Sequence, residues 1–215
     1  MSAVALACEG PYDLVAMRSL ICELASGVVS FREVFPAADA TGSEGGWAKL
    51  IERLKRLFNG DANVFFEMPL FDGDDAISHL IIHFDADIAE EAANYQGIKF
   101  KKANTELERI ELIILMIQSI IDDSGEDFDI SKIIYAIPSP CTEGWLLLSC
   151  SPENYTPLMP SKDAKSALKR IHPGCLNTTK KYDQACKEIW KGAEKNKGKS
   201  VGLQRFTINV EESGF

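Results

Sequence analysis

Three carboxylates set the chemistry this sequence can do. Glu9 ends an apolar run and is followed by Gly10, and Asp85 and Asp87 form an acid-x-acid pair after a second apolar run. Magnesium takes hard oxygen ligands and keeps several of its waters, so a few carboxylates suffice to hold it. Acids at i and i+2 just past a strand converge on one ion if the chain turns there. Gly10 permits a tight strand-to-helix turn that leaves Glu9 exposed, placed to move a proton to or from a reacting hydroxyl. Asp13, one helical turn after Glu9, can point to the same side and offer a ligand to a second ion.

Other groups could serve such a site. Glu143, in Thr142-Glu143-Gly144-Trp145, follows a strand end and is either an outer metal ligand or a helix-start acid satisfying backbone N–H groups. Lys162 and Lys165 precede an apolar helix, and one of them could neutralise charge developing on a phosphate. Lys165 is the catalytic candidate; taken singly, each lysine is more simply a surface residue. His79 and His83 alternate on an apolar run about Ile81, where a metal role is disfavoured beside a hard-oxygen site.

The elements that must position these groups follow from periodicity. Residues 4–8, 77–84 and 132–137 read as strands, with a further candidate at 63–68 and a last one at 203–210. Residues 12–26, 43–58, 88–95, 104–121, 163–171 and 178–196 read as helices, and 142–150 as a buried helical turn. Asn104 is the expected cap of the long helix. Strands alternating with helices imply an α/β fold with a mostly parallel sheet covered on both faces. The ligand crevice of such a sheet lies at the carboxyl ends of its strands, where Glu9 and Asp85 fall.

Hydrophobic residues make up 46% of the 215, enough for a packed core. No apolar run is long enough to span a bilayer, and residues 1–10 lack the basic and hydrophobic regions of a signal peptide, so a cytoplasmic protein is expected. The six cysteines form no CxxC pair and are expected to be reduced core fillers. The net charge is −9, yet residues 162–205 hold twelve Lys/Arg against four Asp/Glu. A basic segment beside an acidic body can grip phosphates, with Lys162, Lys165, Lys169, Arg170, Lys180 and Lys181 as its contacts, or can be a solvated face.

An apolar strand ending in Glu9-Gly10, followed later by a strand ending in Asp85-Ala86-Asp87, resembles the Toprim family. This is the catalytic domain shared by topoisomerases, bacterial primases and a group of small or defence-related nucleases. The run Glu9-Gly10-Pro11-Tyr12-Asp13 is similar to the variant in nucleases of the overcoming-lysogenization-defect type. Residues 137–148 resemble a segment of small standalone Toprim-like proteins. The likeness covers roughly the first two thirds of the chain and departs from the pattern at Ile88-Ala89-Glu90-Glu91, where the family often has a glycine turn.

The resemblance implies a Toprim (Rossmann-like) domain over residues 1–160 with a helical insertion at about 100–129, and a basic helical extension over 161–215 packed on it. It implies a magnesium- or manganese-dependent nuclease acting on DNA or RNA, with phage defence as its setting and Glu9, Asp13, Asp85, Asp87 and Glu143 around the metal. The chain is too short for the additional domains of a topoisomerase or primase. The competing expectation is a non-catalytic module of the same fold that docks on nucleic acid or on a larger effector such as an ATPase. A general nucleotide-binding protein ranks last, because no Gly-rich phosphate loop is present.

Overall fold

β1 (Ser2–Ala7) is a run of small and branched apolar residues, and Val4 to Cys8 have no exposed surface. A strand buried on both faces has no need of alternating polarity, as in the interior of parallel sheets. Gly10 and then Pro11, whose ring presets the first helical φ and whose missing N–H costs nothing there, start α1 (Pro11–Leu24). β2 (Val29–Phe35), α2 (Trp47–Asn59), α3 (Ala62–Glu67) and β3 (Ile77–His83) follow. Next come α4 (Ala89–Tyr95), α5 (Glu106–Asp122), β4 (Ile133–Ala136) and α6 (Thr142–Cys150). The chain ends with α7 (Ser161–Ile171), α8 (Thr179–Ile189), α9 (Ala193–Asn196) and α10 (Val201–Glu212). The computed structural model describes residues 2–36, 45–60, 62–67, 76–125 and 128–214.

The four strands form one parallel sheet in the order β2-β1-β3-β4. The chain leaves β1 toward β2 on one side and returns to β3 on the other. The junction of β1 and β3 is therefore the point where the winding direction reverses, and the crevice of an open α/β sheet opens there. Alternate residues of β1 feed two cores. Val4, Leu6 and Cys8 pack with Ile81, Ile134 and residues of α1, α6, α8 and α10. Ala5 and Ala7 pack with Leu80, Ile82 and residues of α2, α4 and α5. The α/β class, the parallel sheet and its two helical layers are those inferred from the sequence.

Several elements differ from that inference. β2 has no counterpart in it: Arg32 and Glu33 break its apolar pattern, which an edge strand tolerates because it pairs only with β1. Of residues 63–68, inferred as a strand, those described belong to the helix α3, which buries Ala62 and Phe66 four positions apart, while residue 68 lies outside the described residues. Residues 203–210 form most of α10 rather than a strand. Leu203, Phe206, Thr207 and Val210 are buried at helical spacing, and Ser200 caps the helix by accepting the Leu203 N–H at 3.2 Å. Thr105, not Asn104, caps α5, in a reciprocal box with Glu108. The first residues of the helix inferred at 43–58 lie outside the described residues, and α2 itself begins at Trp47. The helix inferred at 178–196 is interrupted by a tight turn at Trp190–Gly192, where a Cβ on Gly192 would lie 2.1 Å from the Ser149 carbonyl oxygen.

Residues 161–215 share the core of the first 160. Leu168, Tyr182, Cys186, Trp190, Leu203 and Phe206 lie in one cluster with Val4, Leu6 and Trp145. Among the described residues no helix is long and apolar enough to cross a membrane, and the six cysteines are free thiols.

Candidate functional site

Glu9 leaves β1 and its Oε1 accepts the Asp85 backbone N–H at 2.7 Å, which ties the end of β1 to the exit of β3. That exit is held on its other side by the segment after β4: the Ala86 and Asp87 N–H groups donate to the Pro138 and Pro140 carbonyls at 2.8 and 3.0 Å. Asp85 is thereby fixed between two neighbouring strand ends. Its Oδ1 accepts the Thr142 N–H at 2.9 Å, from the first residue of α6. The positive end of that helix dipole faces the carboxylate, a favourable placement for negative charge.

Thr142 is the hub of the cluster. Its hydroxyl donates to Asp13 Oδ1 at 2.8 Å and lies 3.3 Å from Asp85 Oδ1. His83 Nε2 lies 2.8 Å from the same hydroxyl oxygen and 3.6 Å from Asp85 Oδ1. A hydroxyl has one proton, so when it donates to Asp13 its oxygen accepts from His83 Nε2–H, which fixes the tautomer of a neutral ring. Burial holds the His83 pKa below its ordinary value, against the pull of Asp13, and its Nδ1 has no hydrogen-bond partner.

Glu9, Asp13, Asp85, Glu143 and Lys165 line one open cavity of about 440 Å³, with Gly45 and Gly46 also in its lining. Lys165 Nζ stands 3.8 Å from Glu143 Oε2. The field inside is strongly negative. Burial pushes the Glu9 carboxyl up to about 8; the Asp85 N–H opposes this, Asp13 and Asp87 add to it, and Lys165 offsets part. Asp85 is raised well above the usual carboxylate range by burial and then by Asp13, Glu9, Glu143 and Asp87. Burial raises Glu143 against the pull of Lys165. Burial lowers the Lys165 ammonium, but Glu143, Cys141, Asp85 and Asp13 together carry it above its ordinary pKa, so it stays charged.

The residues inferred from sequence divide accordingly. Glu9, Asp13, Asp85, Glu143 and Lys165 come together in the crevice. Asp87 stands at its rim, exposed, and accepts a hydrogen bond from Ser161 Oγ at the start of α7. Lys162, Lys169 and Arg170 on α7 and Lys180 and Lys181 on α8 are exposed and do not line the cavity; Lys181 borders a separate depression beside His172.

Two central residues were not assigned from the sequence. The ligand atoms of Asp13, His83 and Asp85 lie within 4.8 Å of one another, so His83, disfavoured above as a ligand, belongs to a possible metal-binding triad. The available signal is its spacing: His83 and Asp85 stand two residues apart, and such side chains leave a strand on the same side. Thr142 gave no signal, because its role depends on α6 arriving at β3 from 57 residues away.

The donor set suits a small divalent cation. Two carboxylates supply hard oxygen ligands and a neutral imidazole supplies one nitrogen. The crowded carboxylates raise one another's pKa values, and a bound cation offsets that repulsion. No family model, curated protein or solved structure matches this chain.

Proposed function

We propose that the crevice binds a divalent cation, magnesium or manganese, and that the chain is a Toprim-type nuclease hydrolysing phosphodiester bonds of DNA or RNA. The observation that carries this reading is the meeting of Glu9, Asp13 and Asp85 in one open cavity at the β1–β3 switch point, with the charged Lys165 among them. A bound cation would polarise a phosphate and make its attacking water acidic. Asp13 and Asp85 would hold it, joined by His83 through Nε2 once the ring carries its proton on Nδ1, and Asp87 and Glu143 would add negative charge around it. Glu9, whose carboxyl burial pushes up to about 8, is placed to hand a proton to a departing oxygen or, once ionised, to take one from water. Lys165 would meet the phosphate oxygens, where charge develops. A role in phage defence would follow from this activity in its cellular setting.

The second reading is a non-catalytic module that docks on nucleic acid or on an effector such as an ATPase. It is favoured by one feature: Glu9, Asp13 and Asp85 each already accept a hydrogen bond from within the protein.

Asp85→Asn separates the two. The amide keeps an acceptor for the Thr142 N–H and removes one negative charge. Manganese-dependent cleavage of labelled DNA and RNA should fall at least about 100-fold, as expected when an essential ligand is lost, while the fold persists in circular dichroism. Cleavage by the variant at the wild-type rate would remove the crevice from catalysis. Manganese binding by the wild type without cleavage of either nucleic acid would leave the module.

A further inference from the structure

A second surface is built from charge of the opposite sign. α2 carries Lys49, Arg53 and Arg56 at i, i+4 and i+7, so all three lie along one side of the helix over roughly 10 Å. They line a groove of about 580 Å³ against the end of β2, with the half-exposed Tyr95 at one side; the Lys55 ammonium lies 5.7 Å over its ring and Trp47 meets that ring edge-on at 5.6 Å. Arg53 and Val34 also border a second depression of about 530 Å³, where Arg32 lies 4.8 Å above the Phe65 ring. The two hollows adjoin through Arg53 and Val34, and together they make a basic, aromatic-walled channel in outline along the sheet edge.

Its acids do not cancel it. Glu52 is paired with Lys55 at 3.1 Å and hydrogen-bonded by Tyr95, and Glu33 is paired with Arg18 at 3.0 Å. Lys55 and Arg18 both stand outside the lining. Among the described residues Arg53 and Arg56 form no ion pair. The amino end of α2 also stands beside the crevice. The Gly46 N–H donates to the Glu9 carbonyl at 2.7 Å, Gly45 and Gly46 line the acidic cavity, and two residues later Ala48 and Lys49 line the basic groove.

We infer that this channel holds single-stranded nucleic acid, its phosphates on Arg53, Arg56 and Arg32 and a base stacked on Tyr95, and that it leads the strand to the crevice. A row of cations beside an exposed ring is the arrangement that tracks a single strand without reading its sequence. The delivery of the strand rests on the nuclease reading, but the binding does not.

The test is binding without cation. A fluorescent single-stranded oligonucleotide of twelve nucleotides is titrated with the protein in EDTA at several salt concentrations. Arg53→Gln with Arg56→Gln should weaken binding at least tenfold and reduce the salt slope by roughly 1.4, about 0.7 for each lost phosphate contact. Tyr95→Ala should weaken binding with no change in slope, and Asp85→Asn should bind no more weakly than wild type. Wild-type affinity and slope in the double arginine variant, with its melting temperature unchanged, would overturn the inference. So would equal affinity for a duplex of the same length, or equal competition by polyglutamate, since either removes the need for an exposed base. Retained binding by Asp85→Asn together with lost cleavage keeps the channel separate from the crevice chemistry. Manganese binding to the arginine variant reports on the crevice alone.

Discussion

A carboxylate surrounded by other carboxylates destabilises the fold when it ionises, and the structure puts Glu9 and Asp85 in that position. Both have folded-state pKa values above their ordinary ones, Glu9 near 8. In the pH range between the ordinary and raised values, the folded chain binds more protons than the unfolded chain, so stability falls as pH rises. In EDTA the melting temperature should therefore decline from about pH 5 to pH 8. Manganese should restore it at pH 8 and have little effect at pH 5, with a gain of about 2.7 kcal/mol at a hundredfold excess over the dissociation constant. A pH-independent melting curve would show that the acids are not crowded. Thr142→Val tests the hub. Its hydroxyl is fully buried, and removing it strands His83 Nε2 and leaves Asp13 without that donor. A loss of about 1–3 kcal/mol in urea unfolding is expected, with Thr142→Ser near wild type. Of these residues the sequence shows the acids, because carboxylates at strand ends are visible as local pattern. It hides Thr142, whose partners are brought by long-range packing.

At the scale of elements, the sequence is readable where burial is complete. β1 is a nearly continuous apolar run, β3 is one interrupted by Ser78 and His79, and the periodic apolar faces of α1, α2 and α5 are clear. It is misread where composition and packing disagree. The branched and aromatic residues of 203–210 favour a strand, yet a helix satisfies both their burial and the Ser200 cap. The decisive contact is distant. Glu106, buried at the start of α5, accepts Ser200 Oγ at 2.6 Å and the Val201 and Gly202 N–H groups at 3.1 and 3.2 Å, holding the amino end of α10. Glu106→Ala should cost about 2–3 kcal/mol in thermal or denaturant unfolding, because three donors lose a charged acceptor. A cost below about 0.5 kcal/mol would show that Ser200 alone suffices.

At the scale of the whole molecule, the boundary inferred near residue 160 does not divide the core. Residues from 168 to 210 complete the layer that also holds β1 and α6. A fragment of residues 1–160 should expose that apolar layer, bind hydrophobic dye and show no cooperative melt, whereas the full chain should unfold in one transition with equal calorimetric and van 't Hoff enthalpies. The basic segment is thus half structural: its apolar residues fill the core, Lys165 enters the crevice, and the other lysines of α7 and α8 stay on the outside.

α6 is buried along nearly its whole length, from Thr142 to Ser149. Such a helix has no side on which to fray, so its amides open to solvent mainly when the entire chain does. The N–H that Thr142 lends to Asp85 belongs to that helix, so it should be among the slowest in the chain to exchange with solvent. Lys165 keeps about half of its side chain exposed, so a ligand entering the crevice adjusts that ammonium against the Asp85–Thr142 contact.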